Sequence, residues 1–197
     1  MSKRIGLMGG SFNPIHRGHV SLARIIRTKL GLDEVWLLLS PMNPLKAGDG
    51  ELIDDDLRLK MAQIAVENEE GIEVCDVEMR LPRPNYTIRT LEYLRTHYAG
   101  NRFSLVIGAD NLLIFEKWKD ADILMRDYDV VVYPRPGYDL DGIVERYPHV
   151  RVVRDVPEFP ISSTEIRRNL REGIGCEKWL DSKVLEFICR KKLYGVS

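Results

Sequence analysis

Two histidines three residues apart in a glycine-rich stretch are the first residues in this sequence that suggest chemistry. The stretch reads Gly9-Gly10-Ser11-Phe12-Asn13-Pro14-Ile15-His16-Arg17-Gly18-His19. At a helix start, His16 and His19 would occupy adjacent positions on one face. Gly18 between them leaves room for a close neighbour. Gly9 and Gly10 permit positive φ and a close approach of the backbone to a ligand. Helix N-termini attract phosphate through unpaired N–H groups and the helix dipole. Two imidazoles at such a terminus would each donate a hydrogen bond to a polyphosphate. Metal ligation fits less well, since H-x-x-H has neither a nearby third ligand nor the H-E-x-x-H pattern. The glycine spacing is also not that of the G-x-G-x-x-G dinucleotide fingerprint. The plain alternative is a tight turn followed by two packed histidines.

A second candidate anion site lies near the other end, at Ile161-Ser162-Ser163-Thr164-Glu165-Ile166-Arg167. Ser162 and Glu165 form a capping box, which needs no ligand to make sense. Ser163 adds a hydroxyl, and Arg167 is either a solvated arginine or a cation one turn into the helix. Lys46 follows Pro41 and Pro44; rigid prolines hold its position, and a point charge suits phosphate. Asp110 reads as the end of a strand or as a helix N-cap, and Thr87 as a helix cap. Trp118 reads as a packed aromatic or a stacking platform. Arg135, between two prolines, is either a surface charge or a group facing a nucleotide.

These residues need a scaffold, and the apolar pattern supplies one. Strands are expected at Lys3–Met8, Glu34–Ser40, Ile72–Val77, Phe103–Ile107, Tyr128–Tyr133 and Val150–Val153. Helices are expected at His19–Leu30, after Asp54–Asp56, and at Thr87–Tyr98, Ile123–Arg126, Ser163–Glu172 and Leu180–Lys191. Strands alternating with helices predict a doubly wound, Rossmann-like parallel α/β sheet with helices on both faces and a helical C-terminal segment over about 160–197. One domain over 1–197 is expected. Ligands in such sheets bind beyond the carboxyl ends of the strands. The loops starting at Gly9, Ser40, Gly108 and Pro134 should therefore share one rim.

Composition narrows the classes. The 197 residues carry 29 basic and 30 acidic side chains, a net charge of −1. That balance argues against a nucleic-acid-binding surface, so any anion site is local. No apolar run approaches the ~20 residues that a membrane span needs. Three cysteines without a C-x-x-C pair fit a reducing, cytoplasmic setting.

The two motifs also carry a resemblance. Gly10-Ser11-Phe12-Asn13-Pro14-Ile15-His16-Arg17-Gly18-His19 resembles the G-S-F-[DN]-P-x-H-x-G-H signature of the nucleotidylyltransferase superfamily. Ile161 through Arg167 resembles its I-S-S-T-x-I-R signature. Asn43-Pro44-Leu45-Lys46, Asn85-Tyr86-Thr87-Ile88-Arg89-Thr90-Leu91 and Gly108-Ala109-Asp110-Asn111-Leu112, with Trp118 following, are similar to segments of bacterial nicotinate-nucleotide adenylyltransferases. The resemblance runs over nearly the whole chain. It implies adenylyl transfer from ATP to nicotinate mononucleotide, yielding deamido-NAD and pyrophosphate in NAD biosynthesis. It implies catalytic roles for His16, His19 and Lys46. ATP is implied to bind at Gly10, Ser11, Phe12, His16, His19, Arg135, Ser162, Ser163 and Arg167. The mononucleotide is implied to meet Lys46, Thr87, Asp110 through a ribose hydroxyl, and Trp118 by stacking on the pyridine ring. Mg²⁺ would be carried by the ATP phosphates, with no protein metal ligand. Two departures stand out: Leu45 and Lys119 occupy positions where that family commonly has histidine and an aromatic residue. Pantetheine-phosphate adenylyltransferase and a nucleotide-binding regulatory domain without turnover are the competing assignments.

Overall fold

The structure is a computed structural model and describes residues 2–41 and 51–196. Lys46 and Leu45 lie outside the described residues. Six strands form one sheet, all parallel, in the order β3-β2-β1-β4-β5-β6. They are β1 (Arg4–Gly10), β2 (Glu34–Leu39), β3 (Ile72–Cys75), β4 (Arg102–Gly108), β5 (Asp129–Tyr133) and β6 (Arg151–Val152). The winding reverses between β1 and β4, which makes their carboxyl ends the natural ligand crevice.

Strand side chains alternate between two faces, and each face has its own core. Met8, Val35, Leu37, Leu39, Val106 and Val131 point to one side. There they meet α1 (Arg17–Leu30), α2 (Asp55–Val66), α8 (Ser163–Arg171) and α9 (Ser182–Arg190). Ile5, Leu7, Leu38, Leu105, Ile107, Val130 and Val132 point to the other. That side is covered by α3 (Val77–Arg80), α4 (Thr87–His97), α5 (Ala109–Leu113), α6 (Ala121–Asp127) and α7 (Leu140–Glu145). The expected doubly wound sheet is therefore present, with the C-terminal helices on the α1 face.

Local signals placed several ends well. Asp54 caps α2 by accepting from the Asp56 amide at 2.9 Å. Gly31 closes α1 in the left-handed conformation, φ 59°. Other expectations need correction. The strand expected to reach Val77 stops at Cys75, and α3 begins two residues on. Asp110 neither ends β4 nor caps a helix; β4 stops at Gly108, and Asp110 is the second residue of α5. Thr87 is not a cap either, because Tyr86 holds the N-cap position of α4 and Thr87 is its first helical residue. Among the described residues, no helix is long and apolar enough to cross a membrane.

The C-terminus is fastened to the loop that follows β1. The buried Tyr194, in a short 3-10 turn (Leu193–Gly195), donates its hydroxyl to Asn13 Oδ1 at 2.9 Å. Tyr194→Phe leaves that buried oxygen unpaired. The expected loss is about 1–2 kcal/mol, hence a fall in Tm of roughly 2–8 °C. Thermal unfolding followed by circular dichroism measures it, and an unchanged Tm contradicts the tie.

Candidate active site

A cleft of about 470 Å³ opens over the carboxyl ends of the strands. That size suits a nucleotide-like ligand. All four expected loops reach it, through Gly9 to His19, Ser40, Gly108 with Asp110, and Tyr133 to Pro136. Ser162, Ser163, Thr164 and Arg167 line one part of the cleft, and Tyr86, Thr87, Trp118 and Lys119 line another.

The loop after β1 is held from behind. Gly10 accepts from the Ser40 amide at 3.0 Å, which continues the β1–β2 pairing. The Ser11 carbonyl accepts from Arg58 at 2.5 Å. The Asn13 carbonyl accepts from Arg167 at 2.9 Å, and the Pro14 carbonyl from the Ser163 hydroxyl at 2.9 Å. Four of the five carbonyls from Gly10 to Pro14 are thus paired within the protein. Phe12 sits at φ 46°, with its buried ring folded over Gly10, where a Cβ would come within 2.8 Å of it. Glycine at 10 is therefore a steric requirement.

His16 is the N-cap of α1 and His19 lies three residues into it. Their rings stack with centroids 3.7 Å apart, and Phe12 meets His19 edge-on at 5.1 Å. The space that Gly18 provides is filled by the His16 ring itself; a Cβ at 18 would lie 2.9 Å from His16 Nδ1. His16 N–H donates to His19 Nδ1 at 3.2 Å. An accepting Nδ1 is unprotonated, so the neutral His19 ring carries its proton on Nε2, as a donor. His16 Nδ1 is buried without a partner. Burial lowers the His16 pKa to about 4, assisted by the charge of Arg135. Burial also pushes His19 well below its ordinary value, with His16 and Arg135 adding to it. Without ligand, both imidazoles are uncharged at neutral pH.

The serine-rich segment is brought to the cleft, but its side chains already have partners. Ser162 and Glu165 complete the expected capping box, with the Glu165 amide to Ser162 Oγ at 3.2 Å and the Ser162 amide to Glu165 Oε2 at 2.9 Å. Arg167 is not solvated. It is buried and donates Nε and Nη2 to Glu51 Oε2 at 2.9 and 2.7 Å. Arg135 lies over the Tyr133 ring with Nε 3.4 Å from Asp110. Gly108 makes that approach possible, since a Cβ there would come 2.3 Å from the Asp110 carboxylate. Trp118 is half-buried, stacks on Phe115 with centroids 5.1 Å apart, and leaves Nε1 unpartnered. Lys119 is exposed and pairs with Asp120 at 3.3 Å.

Sequence reasoning missed Arg58 and Glu78, and gave Asn85 no role beyond its place in the Asn85–Leu91 segment. Arg58 is fully buried under the first loop. Glu78 is buried at the cleft and accepts from Thr90 Oγ1 at 2.8 Å, and desolvation raises its pKa. Asn85 donates to the Glu78 carbonyl at 2.9 Å. Arg58 left a signal of its own: it shares the apolar face of α2 with Met61, Ala62 and Ala65.

Comparison with known proteins agrees with this geometry. The Cytidylyltransferase-like family model matches residues 7–169. A Bacteroides thetaiotaomicron protein named "Probable nicotinate-nucleotide adenylyltransferase" is 42% identical over 187 residues, 94% of this chain and 90% of its own. One of the same name from Azobacteroides pseudotrichonymphae is 39% identical over 170 residues, 86% of this chain and 88% of its own. The chain belongs to the nicotinate-nucleotide adenylyltransferase family. It is accordingly a nucleotidyltransferase. The fold is shared with the Plasmodium falciparum nicotinic acid mononucleotide adenylyltransferase solved with NaAD, at TM-score 0.82, 20% identity and coverage of 99% and 98%. A Vibrio parahaemolyticus structure shares it at TM-score 0.72, 23% identity and coverage of 99% and 97%.

The histidine pair predicts a pH dependence of stability. His16 titrates at about 4 in the folded protein, against 6.5 for an ordinary imidazole. Below pH 6.5 the unfolded chain binds the proton first, so this stabilisation is complete above 6.5 and lost as pH falls. The loss assignable to His16 reaches about 3 kcal/mol near its folded pKa. NMR titration of the ring signals checks the origin. A His16 half-titration near 6.5 contradicts the assignment.

Proposed function

We propose that this chain transfers the adenylyl group of ATP to nicotinate mononucleotide, releasing pyrophosphate and deamido-NAD, the dinucleotide-forming step of NAD biosynthesis. The observation that carries this is the stacked His16–His19 pair at the N-terminus of α1, set in a cleft with the start of α8 and with Trp118. The histidines and the start of α8 offer donors to phosphates, and Trp118 offers a flat face to a ring.

A mononucleotide phosphate oxygen is already nucleophilic at neutral pH and needs no covalent enzyme intermediate. It attacks the α-phosphorus of ATP in line. The new P–O bond forms as the bond to the pyrophosphate oxygen breaks, and the charge moves onto pyrophosphate. Catalysis is then positioning and charge stabilisation. The His19 Nε2–H donor stabilises the negative triphosphate, with His16 beside it. Gly10, Ser11 and Phe12 shape the floor, and the start of α8 with Ser162, Ser163 and Arg167 receives the ATP phosphates. To touch phosphate, Arg167 must share its guanidinium with Glu51. Arg135 faces the adenine nucleotide. Asp110 accepts from a ribose hydroxyl, Trp118 stacks on the pyridine, and Thr87 closes that wall. Lys46 is assigned to the phosphates by its motif alone. Mg²⁺ is placed on the ATP phosphates, as the resemblance implies. When bound, that ion supplies charge neutralisation on oxygens it already holds. The free cysteines Cys75, Cys176 and Cys189 suit a reducing, cytoplasmic setting.

His19→Ala is expected to fold normally and to lower kcat roughly 10²–10³-fold, the usual effect of deleting one transition-state donor. Steady-state assays of pyrophosphate release, beside a melting curve, decide this; wild-type kcat removes His19 from the reaction.

A second prediction concerns the pyridine substituent. Nicotinate presents a carboxylate, whereas nicotinamide presents an NH₂ group to any donor in its site. Charge-assisted hydrogen bonds favour the acid by about 1.5–3 kcal/mol, or roughly 10–150-fold in kcat/KM. Both mononucleotides should be assayed at saturating ATP and Mg²⁺. Equal values, or preference for the amide, refute the substrate assignment and leave adenylyl transfer standing.

A further inference from the structure

Arg58 does not line the cleft, yet it touches both loops that flank the histidine wall. It stands on the buried face of α2 beside Met61 and Ala62, and its side chain is fully buried. Its guanidinium has five N–H groups, and the structure gives them five acceptors. Nε donates to the Ile53 carbonyl at 3.1 Å. Nη1 donates to the Ser11 carbonyl at 2.5 Å and to the Ser40 carbonyl at 3.0 Å. Nη2 donates to the Pro41 carbonyl at 3.3 Å and to the Asp55 carboxylate. Asp55 is also held by Arg83, at 2.7 Å. A buried cation is tolerated only when its charge is paired and its donors are met. Here those acceptors belong to three segments: the loop after β1, the end of β2, and the start of α2.

We propose that Arg58 is a positioning residue for the adenylyl transfer proposed above, fixing the loop after β1 against the loop after β2. The inference rests on that reading of the cleft. Ser11 precedes Phe12, and the Phe12 ring is the edge that meets His19. A displaced Ser11 carbonyl therefore moves the support of the imidazole pair. Ser40 and Pro41 open the segment that leads to Lys46. A planar fork spans these acceptors, whereas one ammonium cannot. Small misplacements of catalytic groups cost up to about 10²-fold in rate.

The test is Arg58→Lys in the full-length protein, with Asp55→Asn as the milder variant. Three properties are read: thermal unfolding, kcat with both KM values, and the NMR titration of His19. Besides the His16 ring and the Arg135 charge, burial governs that titration, so it reports placement without requiring turnover. In Arg58→Lys, kcat is expected to fall roughly 10–100-fold, with ATP KM changing less, because geometry is lost before binding. The His19 pKa should move up toward 6.5. Asp55→Asn should move both in the same direction by less, about 3–10-fold in kcat. If Arg58→Lys does not fold, Asp55→Asn decides by the same readouts. A lowered Tm with unchanged kcat and unchanged His19 titration makes Arg58 a stability residue only and overturns the proposal. A displaced His19 titration in a protein whose wild type transfers no adenylyl group sinks the reaction and keeps the mechanical link.

Discussion

The loop from Gly10 to Pro14 must cross the end of the sheet with its carbonyls turned to partners other than a bound anion. Nearly everything else at the site depends on that constraint. An unpaired carbonyl beside a triphosphate would set the negative end of its dipole against negative charge. The protein answers with two buried arginines, one serine hydroxyl and the Ser40 amide, aimed at four of the five carbonyls. The arginines come from α2 and α8, on the same face of the sheet as α1. The C-terminal helices are thus part of the loop's support, and Tyr194 extends that support to the last turn of the described chain.

The imidazole pair follows from the same packing. Rings stacked at 3.7 Å and largely removed from water resist protonation, since a charged form would face desolvation and a neighbouring charge. Neutral rings still donate, and the His16 amide fixes which nitrogen of His19 does so. The site therefore presents oriented dipoles before ligand arrives. A polyanion entering it would favour protonation and draw the pKa values back up. The backbone contact that orients His19 is in place without any ligand.

The sheet and its rim were legible because buried strands leave continuous apolar runs, and Gly or Pro marks where they end. The two motifs were legible because their spacing is local: His16 to His19 and Ser162 to Glu165 are both three residues. Helices α3, α5 and α7 were not legible. They run only four to six residues, and packing rather than periodicity sets their ends. The structural partners of Ser163 and Arg167 were not legible for a different reason. Their partners, Pro14 and Asn13, lie 149 and 154 residues away. No local pattern encodes a bond of that span. Arg58 was readable in principle, as a charge on an apolar helix face, and the apolar residues around it drew attention away.

The charge balance of the cleft completes the physical picture. Arg135 and Arg167 are the arginines that line it among the described residues, and both face carboxylates, Asp110 and Glu51. The histidines are neutral. A triphosphate arriving there meets dipoles and donors before it meets unpaired arginine charge. Two consequences follow for a reaction that concentrates negative charge on a leaving pyrophosphate. Under the reaction proposed above, neutral histidines and paired arginines would leave much of the compensation to a cation on the nucleotide and to the lysines of the cleft, Lys117 and Lys119. In that reaction the ion pairs would also exchange partners: a ribose hydroxyl on Asp110 would loosen Arg135, and phosphate near Arg167 would compete with Glu51. The second exchange is linked to the first loop through the Asn13 carbonyl, which Arg167 also holds. One guanidinium therefore joins Glu51 at the α8 end to the loop that leads into the histidine wall.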